Sequence, residues 1–454
     1  MGAPHLVLGL GVTGEAVVRA LVAHGLDVVV VEDRPREGHA AIAADLGVTF
    51  LAAPALDQLA DAVAGAEDVL PSPGVPDAHP VFGLARDAGV PVRSEFDLAG
   101  SWDDRPIVAI TGTNGKTTVT TLVTDMLTAS GLVAVAAGNT DVPLVSAITD
   151  PAVDTFVVEA SSFRLGHTEH FRPAVATWLN FAPDHLDVHA SLAGYEAAKA
   201  RIWADQQPDD LAVANADDAV VVAHTGAARR VTFSLQQPSG FHVVDGALVT
   251  DEGTELVAVT DLWRSFPHDI ANALAAAASA LGAGATLEGV RATLTGFAGM
   301  HHRVELVAEH DGVRYYDDSK ATVPHAVVAA LSGFDSVVLI AGGRNKGIDL
   351  SPLAGHPEPV RAVVAIGDAA ADVEAAFAGL RPVEQAASMD EAVARAAALA
   401  RPGDAVLLSP GCASFDWYSS YGERGDDFAR AVHALFSPDR PTHLASPDRP
   451  TRSA

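Results

Sequence analysis

The chain has one cysteine, Cys412, in 454 residues. This excludes an intrachain disulfide and a multi-cysteine metal cluster, and it fits a reducing compartment, so a cytoplasmic location is expected. Basic residues are also scarce: 29 against 58 acidic ones, a net charge of −29. That balance argues against a nucleic-acid-binding surface. Anionic substrates would need locally basic pockets, because the overall field repels them. No segment forms a long Leu/Ile/Phe-rich run of membrane length, so no membrane insertion is expected. The opening "MGAPHLVLGLG" has no basic stretch before its apolar run and does not read as a signal peptide.

Hydrophobic residues make up 49% of the chain, enough for a sizeable core, and the length suggests roughly two to four domains. Residues 1 to about 100 alternate apolar runs with helical stretches ("HLVLGLG", "LDVVVVEDR", "EDVLPSPGV"), the pattern of a parallel sheet with crossover helices. "SWDDRP" reads as a linker. A second α/β unit opens at "IVAITG", with strands at "DTFVVEASS", "AVATWLNFA" and "DLAVAN". Alternation around "DG" and "DEG" in residues 241–259 predicts antiparallel hairpins. A third α/β series carries "GVRYYDDSK", "SVVLIAGGRNKG", "RAVVAIGD" and "DAVLLSPG". The expected fold is α/β in three domains: a Rossmann-like 1–103, a central P-loop-like 104–298 with a mixed sheet, and a Rossmann-like 299–437. The tail 438–454 repeats "SPDRPT" with little apolar content and is expected to be disordered.

Two glycine loops follow strands. Gly9, Gly11 and Gly14 form G-x-G-x-x-G, with Asp33 beyond them at about the 20-residue spacing of a dinucleotide fold. The glycines allow a tight turn, and the helix N-terminus offers N–H groups to a diphosphate. This motif alone does not separate NAD from a nucleotide sugar, or either from a ligand-free turn. The second loop, "TGTNGKTT", is a shortened Walker A: Gly112 and Gly115 form the nest, Lys116 faces the β/γ-phosphates and Thr117 a Mg²⁺ ion. Strand, loop and helix fall in order, which points to ATP. Glu159 closes the strand in "VVEASSF", at a metal ligand's position or a solvated strand end. "NFAPDHLDVH" gathers Asp184, His185, Asp187 and His189 in what is either a site or a polar loop. Lys199 in "YEAAKARIW" reads, without further context, as a solvated helix lysine.

Taken together and in order, "TGTNGKTT", "EASSF", "DHLDVH", "YEAAK", "HDIAN", "HHR", "DDSKAT", "GGRNKG" and "SPGCASFD" resemble the Mur ligase family, ATP-dependent amide-forming enzymes of peptidoglycan precursor synthesis. The resemblance runs from the first glycine loop to "ERGDDF". Within the family, "GLGVTG" and the "DDSKAT"–"SPGCASFD" pair look most like the branch that adds D-glutamate to UDP-N-acetylmuramoyl-L-alanine. By resemblance the first loop holds the UDP diphosphate, through Gly9, Gly11, Val12, Thr13 and Gly14. Asp33 and Arg34 would lie near the uridine, and Ser72, Pro73 and Gly74 would complete that pocket. The second loop, Gly112, Thr113, Asn114, Gly115, Lys116, Thr117 and Thr118, would hold ATP, with Asn272, Arg303 and Asp318 as further nucleotide contacts.

The resemblance also implies two Mg²⁺ ions, the first on Thr117 and Glu159 and the second on Glu159 and His185, and a carbamate on Lys199. Asn139 and His185 match positions near the acceptor carboxylate and the transferred phosphoryl, and Ser161 matches a substrate contact. For D-glutamate, Ser414 with the backbone near Tyr421 would take one carboxylate and Thr322 with Lys346 the other, with Lys320 in the same turn. A monomer is expected. Two departures stand out: Arg164 where the family has a glutamine, and Asp269 where asparagine is usual. The alternatives are a ligase of the same scaffold adding another amino acid, an NAD-dependent oxidoreductase using the first loop, and a non-catalytic ATP-binding regulator. The extra arginine-bearing motif of diamino-acid ligases is not found in the last segment.

Overall fold

The three apolar runs of the first hundred residues become strands, and "TFLA", not among them, forms a fourth. In the computed structural model these are β1 (His5–Leu8), β2 (Val28–Glu32), β3 (Thr49–Ala52) and β4 (Val69–Pro71), all parallel in the order β3-β2-β1-β4. The structure describes residues 2–185, 188–250, 252–345, 347–355 and 357–437. The repeat tail, Asp187 and Lys346 therefore lie outside the described residues. Alternation along β1 sends Leu6 and Leu8 to one face, with Leu59 and Val63, and Val7 to the other.

The second sheet has nine strands: β5 (Ile107–Thr111), β6 (Ala134–Gly138), β7 (Thr155–Glu159), β8 (Val175–Trp178), β9 (Leu211–Asn215), β10 (Arg229–Phe233), β11 (Phe241–Val244), β12 (Ala247–Thr250) and β13 (Glu255–Ala258). Their order is β13-β12-β11-β10-β9-β8-β5-β7-β6. The half from β6 to β10 is parallel and β11–β13 is antiparallel, so the mixed sheet and its hairpins are as expected. Asp245 (φ 48°) and Gly246 (φ 79°) make the β11–β12 turn, both left-handed as a two-residue hairpin of this type requires.

Strand β5 is buried on both faces, as parallel strands under helices are. The helix Lys116–Ala129 covers one face, burying Val119, Leu122, Val123, Met126 and Leu127 at helical spacing. It packs on the helix Pro267–Gly282, which starts on a proline at its first turn and is mostly buried alanine and leucine.

The third sheet is built from β14 (Glu305–His310), β15 (Val313–Asp317), β16 (Val337–Gly342), β17 (Val360–Ile366), β18 (Val383–Ala386) and β19 (Ala405–Leu408), in the order β14-β15-β19-β16-β17-β18. Only the edge strand β14 is antiparallel. The chain divides into two compact units between Ala298 and Gly299. The first two sheets belong to one unit and share a core in which Val7, Val18 and Leu70 join Phe96, Phe156 and Trp178. A boundary drawn at residue 103 thus separates two sheets rather than two cores.

Phe96 stacks on Phe171 with ring centroids 4.7 Å apart, both rings buried, within this shared core. Phe96→Ala is expected to cost about 3–5 kcal/mol and to lower the urea midpoint markedly. Leu56→Ala, at a residue 62% exposed, should leave that midpoint almost unmoved.

Candidate active site

The loop after β5 is held in shape by side chains from the next strand over. Thr113 and Asn114 donate their backbone N–H groups to Asn180 Oδ1 at 3.0 and 2.9 Å, and Asn180 Nδ2 donates back to the Asn114 carbonyl at 3.2 Å. Thr113 Oγ1 lies 3.2 Å from the Tyr195 hydroxyl. Gly115 is left-handed (φ 82°), and a Cβ there would sit 2.4 Å from Asn272 Oδ1. Only glycine lets Asn272 close against the loop.

Two lysines converge on one carbonyl of that loop. Lys116 Nζ donates to Gly112 O at 2.9 Å and to Thr113 O at 3.0 Å, while Lys199 Nζ donates to the same Gly112 O at 2.7 Å. Lys199 is 1% exposed and its Nζ lies 4.7 Å from the centre of the Tyr195 ring. The helix Leu192–Ala200 points it inward with Tyr195 and Ala198, so it is not a solvated helix lysine. Burial first, then the charge of Lys116, hold its pKa well below the ordinary lysine range; Asp184 and Glu159 oppose this.

Glu159, at the end of β7, is buried, and its Oε1 accepts a 2.9 Å bond from Asn139 Nδ2. Its Oε2 is buried with no hydrogen-bond partner among the described residues, and so is the hydroxyl of Ser161. An unsatisfied buried carboxylate oxygen is costly, and its chemistry fits a hard cation. Arg164 ties this edge to the first glycine loop. Its Nη1 donates to Asn139 Oδ1 at 3.1 Å and its Nη2 to Thr13 Oγ1 at 2.8 Å. Its Nε lies 2.8 Å from Glu95 Oε1, as an ion pair whose N–H does not aim at the oxygen. Burial pushes the Glu95 carboxyl up and the Arg164 guanidinium down, and each partner counteracts the other's shift.

In the first loop a Cβ on Gly14 would meet the Gly9 carbonyl at 2.0 Å, and Ser72 Oγ donates to that carbonyl at 2.9 Å. Thr13, Gly14, Ser72, Pro73 and Arg164 line one small cavity beside it. Gly11 and Val12 at the loop's tip, like Arg34 after β2, are exposed, and Gly74 follows β4 with φ 88°. The acid that ends β2 is Glu32: its Oε2 accepts from Leu10 N at 2.9 Å and its Oε1 from Arg34 N at 3.0 Å. Asp33 instead pairs with His79 Nε2 at 2.8 Å. Spacing alone could not separate two adjacent acids.

His185 takes a left-handed backbone (φ 54°), with its N–H donating to Asp184 Oδ1 at 2.8 Å and its ring edge-on to Phe163. His189 contacts Ser162 Oγ at 2.9 Å. The departure at Asp269 has a plain reason: it is buried and takes a two-pronged ion pair from Arg264, Nε to Oδ2 and Nη2 to Oδ1. Thr117 and Thr118 lie in the first turn of the loop's helix.

In the second unit, Lys320 Nζ sits 3.8 Å from the centre of the Tyr421 ring, and Ser319 Oγ donates to the Tyr421 carbonyl at 2.7 Å. Arg424, almost fully buried, donates to Ser319 Oγ (2.9 Å), Ser319 O (2.8 Å) and Cys412 O (3.1 Å). Burial pushes its pKa down to about 10. It thereby joins the turn holding Lys320 and Thr322 to the turn holding Ser414. The sequence reading passed over it; an arginine on the buried stripe of the helix Tyr421–Leu435 was the available signal. Asp318 Oδ2 accepts from Ser409 Oγ at 2.7 Å. Arg303 lies in the turn before β14, its backbone N–H bonded to Met300 O at 3.2 Å.

A buried phosphate-type loop with paired lysines, on a three-sheet α/β scaffold, defines a nucleotide-dependent transfer enzyme. Family models match in succession: a Mur ligase MurD-like N-terminal domain over residues 3–94, a Mur ligase middle domain over 110–280, and a Mur ligase glutamate ligase domain over 302–412. The chain belongs to the Mur ligase family. It is 46% identical over 453 residues to the UDP-N-acetylmuramoylalanine–D-glutamate ligase of Frankia casuarinae, covering 95% of this chain and 94% of that protein. A ligase of the same name from Desulfosudis oleivorans is 43% identical, covering 96% and 97%. The fold is similar to that of a pseudomurein peptide ligase type C from Methanothermus fervidus (TM-score 0.60, 18% identity, 95% of this chain and all of that one).

Arg164 and Glu95 predict a large stability effect. Arg164→Ala strands a buried carboxylate and is expected to cost about 3–5 kcal/mol, whereas Arg164→Met with Glu95→Leu should recover most of it. Urea midpoints of the two variants check this; a single variant as stable as the parent would refute the pairing.

Proposed function

We infer that this chain is an ATP-dependent ligase joining D-glutamate to UDP-N-acetylmuramoyl-L-alanine in peptidoglycan precursor synthesis. The observation that carries the reading is the 46% identity to a ligase of that name along nearly the whole of both chains. In this chemistry a carboxylate oxygen of the alanyl group bonds to the γ-phosphorus as the bond to ADP breaks, giving an acyl phosphate. The amine of D-glutamate then attacks the acyl carbon, phosphate leaves with its C–O bond electrons, and the amine loses a proton.

The residues suit that sequence. The N-terminus of the helix Lys116–Ala129 faces a phosphate-binding loop, and Lys116 would neutralise charge on the transferred phosphoryl. Thr117, Glu159 and His185 would hold Mg²⁺, which when bound screens the phosphate charges; the orphaned Glu159 oxygen supports that assignment. We assign the first glycine loop with Ser72–Gly74 and Ser161 to the UDP-substrate, with Asn139 at the acceptor carboxylate. Asn272, Arg303 and Asp318 are assigned to the nucleotide. Lys320, Thr322, Lys346, Ser414 and Tyr421 are assigned to D-glutamate.

Lys199 is proposed as a carbamate. Its neutral amine adds to CO₂, forming an N–C bond and releasing a proton, and the product supplies oxygen donors of the kind a hard cation prefers. Lys199→Ala is therefore expected to abolish most ligase activity. After CO₂ stripping, activity of the unaltered chain should return on adding bicarbonate; indifference to bicarbonate would sink the carbamate.

The decisive assay follows phosphate release from ATP with UDP-N-acetylmuramoyl-L-alanine and a panel of amino acids. Release with D-glutamate and none with L-glutamate, L-alanine or a diamino acid is expected. Lys116→Ala should abolish release while UDP-substrate binding, measured calorimetrically, persists. Equal loss of both would reverse the assignment of ligands to loops.

A further inference from the structure

We propose that the turn before β14 carries a transition-metal site, in which Nε2 of His301, Nε2 of His302 and the carboxylate of Asp426 bind a divalent cation of the Zn²⁺ class. The ligase reading above uses none of these three side chains.

Two neighbouring imidazoles stack here, with centroids 3.7 Å apart and planes at 35°. Each ring gives its Nδ1 to its own carboxylate: His301 to Glu305 Oε2 at 2.6 Å, and His302 to Asp317 Oδ2 at 2.6 Å. A carboxylate acceptor requires the proton on Nδ1, which turns the Nε2 lone pair of each neutral ring outward. This carboxylate–histidine arrangement is what orients and strengthens imidazole as a metal ligand. Both Nε2 atoms then face one oxygen, Asp426 Oδ1, at 3.7 and 4.0 Å. Those separations are too long for hydrogen bonds. They are close to the roughly 3.3 Å between ligand atoms around a tetrahedral ion with bonds of about 2.0–2.1 Å.

The surrounding backbone is shaped to hold the pair. His302 (φ 57°) and Val304 (φ 50°) are both left-handed, a costly conformation for a β-branched residue. Glu305 Oε2 secures the turn by accepting His302 N–H at 2.9 Å. Opposite, the helix Tyr421–Leu435 carries Gly425, where a Cβ would lie 2.2 Å from His302 Nδ1 and 2.4 Å from Asp317 Oδ2. A glycine inside a helix is unfavourable, and here it makes room for the His302–Asp317 bond. Asp426, one residue on, is 71% exposed at its side chain and can move the few tenths of an ångström a bound ion needs. Two imidazoles and one carboxylate suit Zn²⁺, Co²⁺ or Ni²⁺ rather than Mg²⁺. An ion there would tie the first turns of that helix to the turn carrying Arg303.

The test titrates the chelator-treated full chain with Co²⁺ in the presence of excess Mg²⁺, which occupies the oxygen-rich phosphate site. One equivalent of Co²⁺ with visible d–d absorption is expected. His301→Ala, at an exposed ligand whose loss leaves the fold intact, should weaken Co²⁺ binding at least tenfold. Asp426→Asn should weaken it in the same direction. Glu159→Gln should change nothing. The proposal is overturned if Co²⁺ is not taken up under Mg²⁺, if His301→Ala binds as the parent does, or if Glu159→Gln is the variant that loses the ion.

Discussion

The carbonyl oxygen of Gly112 is the point on which the catalytic face of the first unit depends. It accepts from Lys116 and from Lys199 at once, so a loop lysine and a helix lysine far apart in sequence are fixed relative to one another and to the phosphate loop. Two ammonium groups sharing one acceptor in a buried site repel. Burial first, and then the neighbouring Lys116 charge, lower the pKa of the less accessible amine, Lys199. The loop therefore positions two lysines and gives them unlike surroundings, Lys116 at the start of the loop's own helix and Lys199 buried beneath it.

That division of labour agrees with how the chain spends its basic residues. Of 29 lysines and arginines only four are lysines, Lys116, Lys199, Lys320 and Lys346, and all four stand in the motifs that carry the family resemblance. Everywhere else positive charge is arginine. Arginine stays protonated, while a lysine amine can be deprotonated by burial and presents a compact charge. A chain that uses arginine for its surface and keeps lysine at these positions treats the two as chemically different. The same contrast appears at Arg424, a fully buried cation whose fork of N–H groups links two turns at three acceptors, which a lysine could not span.

Strand–loop–helix order, both glycine loops and the hairpins at 241–259 were legible because each depends on local spacing or on turn residues that allow left-handed backbone. Strands β3, β6, β10, β14 and β18 were not singled out. They are short, half-exposed or edge-lying, and their burial pattern is decided by neighbours distant in sequence. The motif residues were readable as types, but their partners were not. Nothing near "NFAPDHLDVH" says that Asn180 supports the phosphate loop, and nothing near β2 says that Glu32 rather than Asp33 turns back to it. Those facts belong to strand order, which places β8 beside β5 and β2 beside β1.

Arg164 shows the limit most clearly. In sequence it is a departure from an expected glutamine, read as an altered polar contact near the substrate. In the fold its charge is matched by Glu95, a residue 69 positions away that nothing in the motif announces. A glutamine could hydrogen-bond Asn139 or Thr13 without a counter-ion, but it would leave the Glu95 carboxylate buried and unpaired. The benefit of the charged pair is reach: one planar guanidinium contacts Thr13 of the first loop, Asn139 beside Glu159, and Glu95 on the helix between the two sheets. The first glycine loop and Asn139, both assigned to the UDP-substrate, are thus held in one register by a single side chain, and an acyl-phosphate reaction at that substrate's carboxylate requires such fixed positioning.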